Sequence, residues 1–237
     1  MLLKDQVILV AGGSSGAGLK IAQACAKANA KVVITARREE QLNKACGEIG
    51  KNVTAFPADV TDREKIKHLL DWVIKKFGRI DILVNCAGIN TGKRPLAVMP
   101  PEDWDQIMNI NVTGTFNLIH YALPYMRKQK RGMVVSISSL AGSEPSAGAG
   151  SAYSASKHAM TVLTKIVSDE EMKNGIRSTV IYPGRINTPY LDTVPEDLTD
   201  EYRQQILQPE DIAAAFMYVA TQPSRVHIPE LYIQPAM

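Results

Sequence analysis

Along the chain, short runs of β-branched and other apolar residues alternate with longer segments in which apolar positions recur three and four apart. The short runs fall at 7–10, 31–35, 53–56, 80–85, 133–137, 178–182 and 230–233, and each has the length and composition of a β-strand. The longer segments, 19–29, 39–49, 62–77, 101–127, 153–174 and 209–221, carry helical spacing. Strands that alternate with helices pair in parallel through right-handed crossovers. The pattern therefore predicts an α/β chain, a doubly wound parallel sheet of about seven strands with helices on both faces. No segment repeats and no low-complexity tract divides the 237 residues, so one domain spanning 1–237 is expected. Two loops stand out: 142–150 is rich in Gly, Ser and Ala, and 184–202 is polar, acidic and marked by Pro189 and Pro195. Both follow strands at their carboxyl ends, where open α/β sheets bind ligands.

Charge and composition narrow the field. Twenty-seven basic against 24 acidic residues give a net charge of +3, which lays down no footprint for nucleic acid. The longest apolar stretches, 7–11 and 213–219, fall far short of the roughly 20 residues of a membrane helix. Lys4 and Asp5 interrupt the first apolar residues, and no small-residue cleavage pattern follows, so a cytoplasmic protein without a secretory signal is expected. Cys25, Cys46 and Cys86 form no CxxC pair and read as reduced interior residues. His68, His120, His158 and His227 lack metal-ligand spacing, so no metal site is expected.

The first predicted strand runs into Gly12-Gly13-Ser14-Ser15-Gly16-Ala17-Gly18 and then a helix. Gly12, Gly16 and Gly18 let the backbone turn tightly and approach a pyrophosphate, which the helix N-terminus favours through its N–H groups and dipole. The spacing is GxxxGxG, unlike the GxGxxG of most two-domain dehydrogenases. After the second strand, an acidic residue would bind the ribose hydroxyls of NAD, whereas a basic one would pair with the 2′-phosphate of NADP. Here Ala36 is followed by Arg37 and Arg38, which favours NADP(H), with NAD(H) left open; the same arginines also suit a solvated helix start.

Tyr153 and Lys157 are four apart at the start of a helix and so share one face. A nearby ammonium stabilises a phenolate and makes tyrosine a usable acid/base for a carbonyl and an alcohol. Such a pair arises by chance about once in two chains of this composition. It gains weight from its company. Together with the glycine turn and the serine strand Ser138-Ser139-Leu140-Ala141-Gly142, it makes the chain resemble the short-chain dehydrogenase/reductase family, in its compact single-domain branch.

The resemblance spans 7–189 in order and spacing, and implies a Rossmann-type sheet. Gly12, Ser14, Ser15, Gly16 and Gly18 match the family's cofactor turn, and Asp59 and Val60 match its adenine contacts. Asn85-Cys86-Ala87-Gly88 is similar to its NNAG element, with Cys86 replacing the second asparagine. The resemblance further implies that Asn111 supports the lysine through ordered water, that Ser139 binds the carbonyl oxygen, and that Tyr153 transfers the proton. Lys157 would hold the nicotinamide ribose and lower the tyrosine pKa. Since successive strand residues face opposite ways, Ser138 and Ser139 cannot both address one site. Pro183-Gly184 resembles the family's PG segment, which nominates Ile186 and Thr188 beside the nicotinamide.

The expected function is that of an NADP(H)-dependent carbonyl reductase or alcohol dehydrogenase acting on a small ketone, aldehyde or secondary alcohol, including 3-hydroxy acid or 3-oxoacyl types. The alternative is a dinucleotide-binding regulator or scaffold with little turnover; a nucleotide-sugar epimerase would need a larger substrate domain. Arg185 could bind an acidic substrate group, or make a surface or cofactor-phosphate contact. Met160, Leu163 and Met172 give the Tyr153 helix apolar character beyond its core face, and the resemblance implies a homodimer or homotetramer. The ending Glu230-Leu231-Tyr232-Ile233-Gln234-Pro235 departs from the family's usual VDGG and is similar to that of 3-hydroxy acid dehydrogenases and sepiapterin-reductase-like enzymes.

Overall fold

A computed structural model describes residues 3–193 and 198–236, without the side chains of Asp192 and Thr193. Seven parallel strands, β1 (Val7–Ala11), β2 (Lys31–Thr35), β3 (Val53–Ala55), β4 (Ile82–Asn85), β5 (Gly132–Ile137), β6 (Ile176–Pro183) and β7 (Glu230–Ile233), form one sheet in the order β3-β2-β1-β4-β5-β6-β7. The order reverses between β1 and β4, so the loops after these two strands diverge and leave a crevice at their carboxyl ends.

Side-chain alternation divides the core in two. Ile8 and Val10 of β1 pack on one face with Ile21, Cys25, Ile212 and Phe216. These come from α1 (Gly16–Lys27) and α8 (Pro209–Ala220). Val7, Leu9 and Ala11 point to the other face, against Ile66, Leu69 and Leu70 of α3 (Arg63–Phe77) and Leu118 and Ala122 of α5 (Gly114–Gln129). Both faces of β1 are buried, which is why its five residues read as a continuous apolar run. The remaining helices are α2 (Glu39–Ile49), α4 (Pro101–Met108), α6 (Ser151–Glu171) and α7 (Asp200–Gln205).

The structure corrects the reading of 101–127 as one helix. A π-helical turn at Asn109–Thr113 separates α4 from α5, and the Thr115 hydroxyl donates to the Asn111 carbonyl within it at 2.5 Å. The wider turn re-aims Asn111 toward the loop after β4, a contact that apolar periodicity does not register. The helix read as beginning at Leu19 instead begins at Gly16, inside the glycine turn. The 184–202 loop contains a 3₁₀ turn at Pro189–Thr193 and opens α7, while Pro195 lies outside the described residues. Among the described residues no helix is long and apolar enough to cross a membrane.

Candidate functional site

A cavity of about 1130 Å³ lies across the carboxyl ends of the strands and is continuous from the glycine turn to the start of α6. The turn is built on backbone contacts. Gly12 adopts φ 77° and donates its N–H to the Thr35 carbonyl at 2.9 Å. A Cβ at Gly12 would lie 2.8 Å from the backbone of Cys86, and one at Gly18 only 2.2 Å from the Gly12 carbonyl oxygen. Ser15 is extended at the N-cap of α1 and makes no side-chain cap bond, so the first-turn N–H groups face the crevice.

Most of the residues nominated for the cofactor line this cavity. Gly12, Ser14, Ser15, Gly16 and Gly18 form its floor at one end, with the exposed Arg37 and Arg38 beyond β2. Val60, Ala87 and Gly88 flank its middle, and Pro183, Gly184, Ile186 and Thr188 close it from β6. The Thr188 side chain packs over the turn, 3.2 Å from where a Gly16 Cβ would stand.

Three nominated residues stand behind the wall. Asp59 accepts from the Thr61 N–H at 2.9 Å and the Thr61 hydroxyl at 2.8 Å, closing an Asx turn. Asn85, 2% exposed, accepts from the Ala87 N–H and donates to Thr115, fixing the loop that begins the cavity's middle. Asn111 is fully buried; its amide accepts the Ile89 N–H at 2.8 Å and donates to the Ile89 carbonyl at 2.9 Å and to Ser156. The side chain thus substitutes for a strand partner on that loop.

The residues nominated for proton transfer converge at the other end. Ser139 lies two residues beyond β5, as the N-cap of the turn Leu140–Gly142, and lines the cavity together with Tyr153. Ser138 points the other way, as alternation requires, and is tied to the Lys157 carbonyl and Thr161, each at 3.2 Å. Lys157 is 4% exposed, donates to the Ile137 carbonyl at 3.0 Å, and holds its ammonium 5.6 Å from the centre of the Tyr153 ring. A Cβ at Gly88 would be 3.3 Å from both this ammonium and the Asn111 carboxamide oxygen, so Gly88 is wedged between them.

Burial sets the charges here. It pushes the Lys157 pKa down to about 8, against a small upward pull from Cys86. Burial also raises the Tyr153 pKa, with help from Tyr190, while the Ser139 hydrogen bond and the Arg94 charge pull it down. Burial outweighs both, so the phenol is held in its protonated form.

Sequence reasoning missed several residues on this wall. Arg94, 8% exposed, donates to the Gly148 carbonyl at 2.7 Å and reaches Tyr190. Its stem packs on Gly150, and its carbonyl accepts the Ser151 N–H, so it braces the start of α6. The signal available was its position in the loop after β4, a strand end of the same kind as the two loops singled out. Ser143, Tyr232 and Gln234 also line the cavity. Arg185 lines it too, with its guanidinium 5.7 Å from the Tyr202 ring centre and 3.4 Å from the Tyr202 hydroxyl. Met160 is fully buried and so is a core residue; the exposed apolar residues of α6 are Val162 and Ile166.

Known proteins are similar to this chain over its whole length. The family model for short chain dehydrogenase matches residues 6–199. A protein of Staphylococcus saprophyticus described as an uncharacterized oxidoreductase is 36% identical, with 98% of each chain covered. Among solved structures, a metagenomic short-chain oxidoreductase in complex with NADP is 31% identical with a TM-score of 0.85, covering 100% of both chains. A 3-ketoacyl-(acyl-carrier-protein) reductase from Brucella melitensis, complexed with NADH, is 27% identical with a TM-score of 0.90 and 98% of each chain covered. With a matching family model, a reversed seven-stranded sheet and a serine, tyrosine and lysine gathered at its carboxyl edge, the chain belongs to the short-chain dehydrogenase/reductase family of oxidoreductases.

Proposed function

We propose that the protein is an NADP(H)-dependent reductase or dehydrogenase that interconverts a small ketone or aldehyde with its alcohol. The observation that carries this reading is that Ser139, Tyr153 and Lys157 line the same cavity as the glycine turn. The turn fits a dinucleotide: Gly12 and Gly18 bring backbone where side chains would block it, at an uncapped helix N-terminus. Ser14, Ser15 and Gly16 would hold the pyrophosphate, Val60 the adenine, and Ala87, Gly88, Ile186 and Thr188 the nicotinamide half. Arg37 and Arg38 supply the charge for a 2′-phosphate, which favours NADP(H) over NAD(H).

When bound, the nicotinamide supplies or accepts the hydride. Tyr153 donates its proton to the developing alkoxide during reduction and retrieves it during oxidation. A phenol kept protonated by burial suits the reductive direction. Ser139 donates a hydrogen bond to the same oxygen. Lys157 places a positive charge beside the ring that stabilises the phenolate after the proton leaves, and would also hold the ribose. Asn85, Asp59 and Asn111 act as positioning residues from behind the wall.

The test is NADPH and NADH oxidation against a panel of aldehydes and ketones. Turnover with at least one carbonyl, faster with NADPH, is expected; firm NADPH binding with no turnover at all would instead favour a regulatory protein on this fold. The exposed Phe116 of α5 and Val162 and Ile166 of α6 support association with a second copy, and sedimentation at a dimer or tetramer mass is expected. A cytoplasmic location completes the reading.

A further inference from the structure

The C-terminal strand takes part in the cavity in a way its sequence did not announce. Tyr232 of β7 stands directly opposite Tyr182 of β6 in register, and the rings stack with centres 4.6 Å apart and planes 16° apart. Tyr182 is 1% exposed, and its hydroxyl donates to Glu230 at 2.7 Å, which in turn accepts from Lys165 at 3.1 Å. The Tyr232 ring is therefore clamped on one side by a buried, hydrogen-bonded partner. Tyr232 as a whole is 49% exposed and belongs to the cavity wall.

At the tip of this ring the Tyr232 hydroxyl meets the Ser143 hydroxyl at 2.9 Å. Ser143 follows the 3₁₀ turn Leu140–Gly142, which the Ser139 side chain caps by accepting the Ala141 N–H at 3.2 Å. Ser143 and Ser139 thus sit four residues apart on one short segment against the cavity, and Tyr232 reaches that segment from β7. Two hydroxyls bonded to each other use one proton between them. The second proton and the lone pairs are left to face the cavity.

The geometry points to a neutral polar subsite, formed by Ser143 and Tyr232, that recognises a hydroxyl group on the carbonyl substrate a few bonds from the reacting carbon. This rests on the proposed reductase activity and names its substrate class as hydroxylated ketones. Three features favour a neutral ligand over an anion. Ser143, Tyr232 and Gln234 carry no charge, Glu144 lines the cavity next to Ser143, and the arginines Arg94 and Arg185 are engaged with the Gly148 carbonyl and with Tyr202. Because the ring is already clamped, binding costs little ordering of the protein, and discrimination falls on the hydrogen bond itself.

Three short methyl ketones separate the outcomes: 4-hydroxybutan-2-one, pentan-2-one and 3-oxobutanoate. Wild-type protein with NADPH is expected to turn over the hydroxyketone with the highest kcat/KM. Ser143→Ala and Tyr232→Phe, the second keeping the ring stack, should each lower that value about 5–10-fold while leaving pentan-2-one within about two-fold. An equal loss on all three substrates, or no change in the ratio, overturns the subsite while the reductase reading stands. A wild-type preference for 3-oxobutanoate also overturns it, in favour of an anion site. If wild-type protein reduces none of the three, the reductase reading is decided by the wider panel of aldehydes and ketones. The subsite is then judged by quenching of bound NADPH fluorescence in Tyr153→Phe: tighter binding of the hydroxyketone than of pentan-2-one upholds it, and equal affinities overturn it.

Discussion

The two ends of the cavity are built by different means. At the cofactor end, recognition is mostly backbone: a turn after β1, the N-terminus of α1, and glycines whose neighbours lie closer than any side chain would allow. At the substrate end it is mostly side chain. Ser139 and Ser143 come from the segment after β5, Tyr153 and Lys157 from α6, Arg94 from the loop after β4, and Tyr232 from β7. A backbone site accepts one ligand shape and tolerates little change; a site of side chains from four segments can change its substrate without disturbing the sheet.

Breaking the comparison at its most rigid point should have the largest effect. Gly18→Ala places a Cβ 2.2 Å from the Gly12 carbonyl oxygen, so the turn must shift. NADPH affinity, measured by fluorescence titration, should fall roughly 100-fold or more with little change in far-UV circular dichroism. Unaltered affinity would show that the turn is not the dinucleotide site. A smaller effect is expected at the exposed arginines, which act through charge alone. Arg37→Ala with Arg38→Ala should weaken NADPH about tenfold and leave NADH unchanged. Equal weakening of both coenzymes would remove the assignment of the 2′-phosphate.

The smallest effect is a pH dependence at the buried end. Lys157 has its pKa lowered to about 8, so its charge is full below that pH and is lost as the pH rises through it. Reductive kcat/KM should therefore decline above about pH 8, and Lys157→Met should show a low, flat profile in its place. A wild-type profile that is level from about pH 7 to 10 would contradict this role for the ammonium.

The same contrast explains what the sequence made legible. The glycine turn is contiguous, and its glycines have reasons that can be stated from the backbone alone, so the tight turn at this end of the cavity could be read directly. A parallel, doubly wound sheet followed from the alternation of strands and helices, and the two-residue period of a strand showed that Ser138 and Ser139 face opposite ways. Arg94 and Tyr232 could not be reached in this way. Each lies in a segment without a local motif, and the chemistry of each depends on what the fold brings beside it: Gly150 and Tyr190 for Arg94, Tyr182 and Ser143 for Tyr232. The π turn around Asn111 was hidden for the same reason, since its cause is the loop after β4 and not its own apolar spacing. Nothing in the sequence of Asp59 said that its carboxylate would be spent on Thr61.

If one cavity joins a dinucleotide site to a separate proton-transfer site, Tyr153→Phe should uncouple the two. The substitution removes one oxygen from the substrate end and nothing from the glycine turn. NADPH binding should stay within about two-fold of wild type while carbonyl reduction falls about 10²–10⁴-fold. Retention of turnover in Tyr153→Phe would show that the phenol does not transfer the proton.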